Sequence, residues 1–499
     1  MCYFTAAMLG EKERIRLIFA LKIKYLRVKN DLSYHRLSDV TGLSKSYLHD
    51  IEKGRKYPKI DKINALASAF DVTYDDLVST AAPGKIKPIV DILNSDFLKV
   101  FPLELFGLDL YRLFDLFSST PDKINAFIST VIKITRNYQL TNEHFYAVAL
   151  RSYQEMHDNY FPALEQAAQD FASRHKLINA NRISAAALAQ ILEHAHGVVL
   201  DREMLPKQID LQHLRSYYSE RKRVLYLNEG FSEAQENFLL ARELAFQELS
   251  IVDRPYMTRL AEVTSFDQLL NNFKASYFAV ALLANEHRLT EDLDRILKSD
   301  SWNASAFLAL TEKYSLTPEM LFQRMTNVLP KHFGIRDLFF LRLRADETLD
   351  QCDLTKELHL SQLHNPYGNL REEHYCRRWN SIQVIKQWKT LSPSDPAIDI
   401  QISDYWKSDR SYLCISLAHA DRANSQKGVS LTIGMLVNEQ LKKRVGFLRG
   451  SQIKKRTVNT TCERCSIPDC ESRMKAPVIL QQKAAKAQLQ EAIKSIEAY

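Results

Sequence analysis

The stretch LSDVTGLSKSYLHDIEKGRKYPKIDKINALASAFDVTYDDL, residues 37–77, decides the fold of the first part of this chain. Its apolar residues recur at helical spacing, and each run is bounded by residues that start or stop helices. Gly42 provides a turn, Ser44 caps the run that follows, and Gly54 ends that run. With an apolar run that begins near residue 11, the pattern predicts five short helices over residues 11–78 that close into a bundle. The first helix is expected to turn one apolar face inward, formed by Ile15, Ile18, Phe19, Leu21 and Leu26.

This segment resembles the Xre family of phage-repressor-type helix-turn-helix domains. The resemblance is carried by Gly42 in the turn, Ser-x-x-Tyr-Leu from Ser44, Ile-Glu-x-Gly from Ile51 and the Pro-x-x-x-x-Ile continuation from Pro58. It implies that the third helix lies in the major groove of double-stranded operator DNA. The residues expected to contact DNA are Ser44, Lys45, Ser46, Tyr47, His49, Lys53, Arg55 and Lys56.

Side-chain chemistry divides this predicted DNA surface into two parts. Ser46 and His49 carry groups that can hydrogen-bond to base edges, whereas the four basic residues of the set suit phosphates. Residues 12–62 contain 14 Lys and Arg against 6 Asp and Glu, a balance that favours a polyanionic partner. A helical bundle used only for protein contacts is the alternative.

Composition sets the broad class of the protein. The chain has 499 residues, is 45% hydrophobic and 25% charged, and carries a net charge of +7, which predicts two to four globular domains. Its longest apolar run, residues 277–284, is too short to cross a bilayer. The first residues do not resemble a signal peptide. We therefore expect a cytoplasmic protein without structural disulfides.

The chain between the first bundle and residue 300 divides into three predicted segments. Residues 81–88 are rich in Ala, Pro and Lys and predict a linker. Residues 89–160 are predicted to be helical. Their apolar stripe, from Phe97 to Phe117, could be core, a dimer interface or the lining of a pocket. Residues 161–300 follow as a separate domain.

Residues 161–300 resemble the ImmA/IrrE-type zincin-like domain. The resemblance is carried by the order of FPALEQAAQDFASRHKL, ISAAALAQILEHAHGVVL, RKRVLYLNEGFSEAQENFLLARELAFQEL and KASYFAVALL, which predict helix, helix and strand, strand and long helix, and helix. In that family a His-Glu-x-x-His helix holds zinc, and its Glu activates water.

The metal-binding motif of that family is not retained here. The aligned stretch is Arg242-Glu243-Leu244-Ala245-Phe246, and Asn272 stands where an acidic ligand is expected. Without imidazoles no bound water is activated, so we expect no catalytic residues and no peptidase activity. Arg242 is left to bind an anionic small molecule, to pair with the neighbours of Glu243 or to extend to the surface. His194 and His196 do not share a helix face and are interpreted as surface or capping residues.

The C-terminal part, residues 301–476, is predicted to be an α/β module with clustered cysteines. Cys462, Cys465 and Cys470 lie in TCERCSIPDC, and thiolates this close commonly share a metal or an iron–sulfur cluster. Cys376 is the natural fourth ligand, and four sulfurs suit either a [4Fe–4S] cluster or a structural zinc ion. Competing fourth ligands are Cys352, His364 and His374, whereas Cys2 and Cys414 are interpreted as ordinary residues.

The segment HYCRRWN, residues 374–380, followed by TCERCSIPDC, resembles the C-terminal region of one Xre subfamily. Those regulators respond to short-chain fatty acyl-CoA, so the resemblance implies an acyl-CoA effector; the sequence leaves its binding residues unknown. Residues 477–499 predict an amphipathic helix that packs on its own module or joins a dimer. A homodimer is expected because two half-sites give useful specificity.

The sequence therefore predicts a multidomain protein, mainly α with α/β parts, that binds operator DNA and responds to a small molecule. The predicted parts are the helix-turn-helix bundle at 11–80, the helical region at 89–160, the zincin-like domain without metal ligands at 161–300, the Cys-rich module at 301–476 and the final helix at 477–499. The alternatives are a zincin-like metallopeptidase that acts on a regulatory protein and a redox-sensing iron–sulfur regulator.

Overall fold

The computed structural model describes residues 11–80, 90, 142–178, 182–212, 214–256, 265–360, 373–392, 395–421, 424, 426–450 and 453–497. The chain divides into two compact units, residues 1–153 with 260–270 and residues 154–259 with 271–499. The predicted linker, most of the predicted helical region with its apolar stripe, Cys2 and His364 lie outside the described residues. Among the helices that the structure describes, none combines the length and apolar character needed to span a membrane.

The N-terminal bundle consists of the five helices that the sequence predicts. They are α1 (Glu11–Lys29), α2 (Tyr34–Thr41), α3 (Lys45–Glu52), α4 (Ile60–Phe70) and α5 (Tyr74–Val78). Ser33, Ser44 and Thr73 cap α2, α3 and α5 through their hydroxyl oxygens. Gly42 ends α2 at φ 68°, a left-handed conformation that glycine adopts without a Cβ penalty. These caps fix the turn between α2 and α3.

Burial of α1 differs from the single apolar face that the sequence predicts. Ile18, Phe19 and Leu21 of the predicted face are buried, and so is every other residue from Leu17 to Ile23, so burial extends around the helix. The buried run includes Lys22, whose Nζ donates to the carbonyl oxygens of Asp76 at 2.7 Å and Ser79 at 2.6 Å. The Lys22 ammonium group thus reaches the C-terminal end of α5, where it satisfies carbonyl oxygens that have no partner within that helix. The cation therefore ties α1 to α5.

The second unit begins with helices around a small sheet. Its elements are α7 (Pro162–Arg174), α8 (Ala185–His196), β1 (Val199–Asp201), β2 (Ser216–Ser219), β3 (Val224–Leu227) and α9 (Glu233–Glu248), after α6 (Asn142–Met156), which begins in the first unit. The strand order is β1-β3-β2, with β1 parallel and β2 antiparallel to β3. The helix α9 contributes buried residues from Gln235 to Phe246. This helix carries the stretch Arg242–Phe246 that the sequence aligns with the zinc-binding motif.

Four further helices surround a buried ion pair. They are α10 (Phe266–Leu283), α11 (Glu286–Lys298), α12 (Ala304–Lys313) and α13 (Pro318–Val328). Arg324 on α13 is fully buried and donates through Nη2 to Glu165 on α7 at 2.8 Å. Tyr277 on α10 donates its hydroxyl to the same carboxylate at 2.6 Å. One carboxylate thus joins three helices.

The C-terminal module is built on a six-stranded sheet of order β5-β4-β8-β7-β6-β9. The strands are β4 (Leu338–Ala345), β5 (Cys352–His359), β6 (Ala397–Tyr405), β7 (Ser411–Ala420), β8 (Gly428–Leu436) and β9 (Lys454–Val458). All neighbours are antiparallel except β6 and β9. Helix α14 (Asn380–Trp388) packs on the sheet, α15 (Glu439–Arg444) follows β8, and α16 (Val478–Glu497) ends the described chain. The fold is mainly α with α/β parts, as predicted.

Substituting Glu165 by Ala should strongly destabilise the second unit. The change leaves the buried Arg324 without its carboxylate, which typically costs about 3–5 kcal/mol of unfolding free energy. Urea denaturation would measure it. Glu248→Ala is the matched control, because Glu248 pairs with Arg174 at the surface, and such a pair contributes about 0–1 kcal/mol. Equal losses in the two variants would contradict a structural role for the buried pair.

Candidate functional site

Helix α3 presents an exposed polar face. Ser44, Lys45, Ser46 and His49 are exposed, whereas Leu48 and Ile51 are buried in the bundle core. The Ser44 hydroxyl accepts the Tyr47 backbone N–H at 3.3 Å and so fixes the start of the helix. The predicted base-reading and phosphate-binding residues of α3 therefore share one solvent-facing surface.

Basic side chains surround Tyr47 at the side of this surface. Tyr47 is half-buried, with the Nζ atoms of Lys62 and Lys56 at 4.4 Å and 5.5 Å from its ring centroid. Lys56 also pairs with Asp50 at 2.9 Å. Arg55 is exposed and Lys53 is half-buried at the end of α3. Lys62, on α4, is an addition to the predicted set, because no local pattern places it beside Tyr47.

A buried carboxylate behind the exposed face holds α3 in place. Glu52 is 2% exposed and accepts from Arg27 on α1 at 2.6 Å and 3.1 Å. Tyr34 on α2 donates its hydroxyl to Glu52 at 2.7 Å. The guanidinium of Arg27 lies 4.3 Å from the Tyr34 ring centroid. This Glu52 network orients α3 against both preceding helices.

The stretch Arg242–Phe246, which the sequence aligns with the zinc-binding motif, contributes to a buried ion pair. Glu243 on α9 is bound by both terminal nitrogens of Arg254, at 3.0 Å and 2.8 Å, and both side chains are about 95% buried. The guanidinium of Arg254 lies 4.2 Å from the ring centroid of Phe246, the residue at the second histidine position, and 4.3 Å from that of Tyr218. A guanidinium therefore lies beside the stretch that the sequence aligns with the zinc-binding motif.

The remaining predicted residues of this region do not form a metal site. Arg242 reaches Asn272 through one long hydrogen bond of 3.5 Å, rather than a neighbouring carboxylate. His194 is exposed and bonds to the Gln190 carbonyl oxygen at 2.9 Å, while His196 lies in the last turn of α8. Burial lowers the pKa of His196.

Four cysteines line one pocket at the edge of the C-terminal module. Cys376, Cys462, Cys465 and Cys470 lie around about 270 Å³ of space that is partly open to solvent, together with Arg377, Arg378 and Arg473. All four are free thiols. Burial raises the pKa of Cys376 to about 11. Among the described residues, no three Cys, His, Asp or Glu side chains are arranged to hold a single metal ion.

Two ion pairs join the two chain segments that form this thiol site. Arg464 donates to Glu373 at 2.8 Å and 2.6 Å, and His374 bonds to Glu463 through Nδ1 at 2.8 Å. The Cys462 N–H donates to the His374 carbonyl oxygen at 2.9 Å. The segment that carries Cys376 is thus bound to the loop that carries the other three cysteines.

Two further side chains, Trp379 and Arg473, hold the backbone around the thiol site. Trp379 donates its indole N–H to the Asn459 carbonyl oxygen at 2.7 Å, which explains the Cys-x-x-Trp spacing. Arg473 donates to the carbonyl oxygens of Cys465 at 3.2 Å and Ile467 at 2.5 Å. The backbone is therefore held by Trp379 just before the three-cysteine loop and by Arg473 within the loop.

The competing ligands lie elsewhere or are engaged. Cys352 does not line the pocket, and its sulfur accepts from Arg377 at 2.7 Å. Cys414 is buried in β7, and burial raises its pKa to about 12, which agrees with its interpretation as core. His374 is bound to Glu463. Of the described candidates, Cys376 alone joins the three clustered thiols at the pocket.

Comparison with known proteins supports both N-terminal resemblances. Residues 23–77 match the family model described as helix-turn-helix, and residues 194–326 match the IrrE N-terminal-like domain. Control protein C.BamHI of Bacillus amyloliquefaciens is 31% identical over 71 residues, which are 14% of this chain and 88% of that protein. A Mycobacterium tuberculosis transcriptional regulator is similar in structure, with TM-score 0.47, 15% identity, and coverage of 65% of this chain and 92% of its own.

Restoring the zinc ligands should fail while Arg254 is present. A variant with Arg242→His, Phe246→His and Asn272→Glu regains the ligand types, but the guanidinium of Arg254 still lies beside Glu243 and repels a cation. Adding Arg254→Ala should allow about one zinc ion per chain. Metal analysis would use chains in which Cys462, Cys465 and Cys470 are serine. Equal zinc content with and without Arg254 would contradict this reading of the ion pair.

Proposed function

Because the chain belongs to the helix-turn-helix family of DNA-binding proteins, we propose that it is a cytoplasmic, homodimeric transcriptional regulator that recognises a specific operator sequence. The observation that carries the proposal is the exposed face of α3, capped at Ser44 and fastened from behind by the Glu52 network. A helix held this firmly can enter the major groove without further ordering. Two copies would read two half-sites.

The residues on this face divide by chemistry into those that suit base edges and those that suit phosphates. Ser46 and His49 are exposed on the outer face of α3 and would bond to base edges. Lys45, Lys53 and the basic residues around Tyr47 would bind phosphates. Asp50 carries a negative charge into this basic region, but its pairing with Lys56 balances that charge. The surface as a whole suits double-stranded DNA.

Removing two lysines should weaken DNA binding and its salt dependence together. In Lys45→Ala with Lys53→Ala, each lost phosphate contact should make the negative slope of log K against log salt shallower by about 0.9. Affinity would be measured by fluorescence anisotropy over a salt series, on a duplex obtained by in vitro selection. Lys483→Ala with Lys486→Ala removes the same charge from the exposed helix α16 and is the matched control. Unchanged affinity and slope in the first variant would refute the DNA interface.

The larger part of the chain would bind an effector, which we propose to be an acyl-CoA. The support is the resemblance of the HYCRRWN and TCERCSIPDC segments to acyl-CoA-responsive regulators. An effector changes DNA affinity only if it binds two conformations with different affinities. Mass spectrometry of ligand that copurifies with the chain would test the effector class. A DNA affinity that does not change when acyl-CoA is added would exclude an acyl-CoA effector.

The four cysteines of the pocket would hold an inorganic cofactor. Four thiols that share one pocket suit either a [4Fe–4S] cluster or a structural zinc ion. Arg377, Arg378 and Arg473 would balance the negative charge of such a group. When bound, a cluster supplies an oxidisable centre, and this supports redox sensing as a second function of the regulator.

Cofactor content should depend on Cys376 and not on Cys352. Cys376→Ser removes one of the four proposed ligands and should abolish most of the bound iron and sulfide, or zinc, together with any visible absorbance. Cys352→Ser is the matched control, since this thiol contacts Arg377 outside the pocket. Metal, sulfide and absorbance would be measured after anaerobic purification. Full loading of Cys376→Ser, or loss in Cys352→Ser, would contradict the ligand set.

The alternative of a metallopeptidase is favoured only by the match to the IrrE N-terminal-like domain. Both histidine positions of the zincin motif are occupied by other residues, and the remaining Glu243 is bound by Arg254. A carboxylate engaged by two charge-assisted hydrogen bonds is a poor base for activating water. We propose that this domain serves regulation and not hydrolysis.

A further inference from the structure

Helix α16 extends away from the C-terminal module after its first turn. Every residue from 481 to 496 is exposed, whereas the first turn contains the half-buried Ile479 and Leu480. The Ile479 backbone N–H donates to the Glu463 carbonyl oxygen at 3.2 Å, so the helix begins attached to the three-cysteine loop. Of the two roles that the sequence predicts for this helix, packing on its own module therefore applies to the first turn only.

The exposed part of α16 carries a stripe of apolar side chains. Leu489, Ile493 and Ile496 are 61%, 47% and 74% exposed, and their spacing of four and three residues places them on one side of the helix. Ala485 and Ala492 lie on the same side, four residues before and three residues after Leu489. Single exposed apolar residues are ordinary, but a stripe of this kind is typical of a surface that another helix covers.

The length of α16 is a second reason to expect a partner. The helix has 20 residues, or about 30 Å, which is nearly three heptads. Isolated helices of this length are marginal in water, because helices in proteins derive most of their stability from packing. Its alanines, glutamines and lysines favour a helix locally, so a solvated single helix is the alternative. That alternative does not explain why leucine and isoleucine recur on one side.

The charged residues of α16 leave the stripe clear. Lys483, Glu491 and Lys494 lie on the opposite side of the helix, while Lys486 and Glu497 flank the stripe with opposite charges. In a parallel pair of such helices, the heptad position that faces Lys486 holds a glutamine. Two identical helices can therefore meet along the stripe without placing like charges against each other.

We propose that α16 pairs with α16 of a second copy of this chain through the stripe of Leu489, Ile493 and Ile496. A two-fold pair places the same surface on both sides, so an apolar stripe without opposing like charges is complementary to itself. The proposal rests on the homodimer of the proposed function and assigns the surface that holds the two copies together. The proposed DNA contacts lie on α3 and around it, so pairing and DNA binding can be tested separately.

Sedimentation equilibrium of the full chain tests the pairing. Leu489→Glu with Ile496→Glu places charges in the stripe and should raise the dissociation constant of the dimer about a hundredfold or more, because burial of four apolar side chains is lost. Ala484→Glu with Ala487→Glu adds the same charges to the opposite side of α16 and is the matched control. It should dimerise like the parent chain. Circular dichroism would check that both variants remain folded.

Mixing oppositely charged variants separates direct contact between the helices from an indirect effect. Leu489→Lys with Ile496→Lys should also dimerise weakly alone, but should form mixed dimers with the glutamate variant, since unlike charges then meet. A glutamate variant that dimerises as tightly as the parent, or a mixture that forms no dimers, would overturn the pairing of α16 and leave the homodimer to another surface. A parent chain that stays monomeric at every concentration would refute the homodimer too, whereas DNA binding is decided by the salt series.

Discussion

The zincin-like part of the second unit depends on a buried ion pair, in which Arg254 binds Glu243 through both terminal nitrogens. A lone carboxylate at 4% exposure would be strongly unfavourable in the core. A guanidinium between two aromatic rings supplies the positive charge that this carboxylate needs. Helix α9 can therefore stay buried with the charge of Glu243 balanced.

Local patterns in the sequence predict most of the secondary structure correctly. The five helices predicted over residues 11–78 are present as α1 to α5, and the helices and strands predicted between residues 161 and 283 are present as α7, α8, β1, β3, α9 and α10. Several of them begin at a capping residue, such as Ser44 or Ser184. These signals act over a few residues, so a single sequence carries them in full.

Pairs that are distant along the chain are harder to find. Arg27 and Glu52 are 25 residues apart, and the partners Glu373 and Arg464 are 91 residues apart. Nothing in the local pattern distinguishes these charges from solvated ones, because their pairing follows from packing. For the same reason Lys62 beside Tyr47, and Arg254 beside Glu243, become visible only in the fold. Cys376 was found because the thiol, unlike a charge, is rare in this sequence.

In helix α3, the residues that stabilise the bundle are different from the residues that face solvent. The inner side of α3 is responsible for stability through Leu48, Ile51 and Glu52, whereas Lys45, Ser46 and His49 are exposed and bury nothing. Replacement of the outer residues therefore leaves the bundle intact. Descendants of this chain could acquire new target sequences one residue at a time, without passing through an unfolded ancestor.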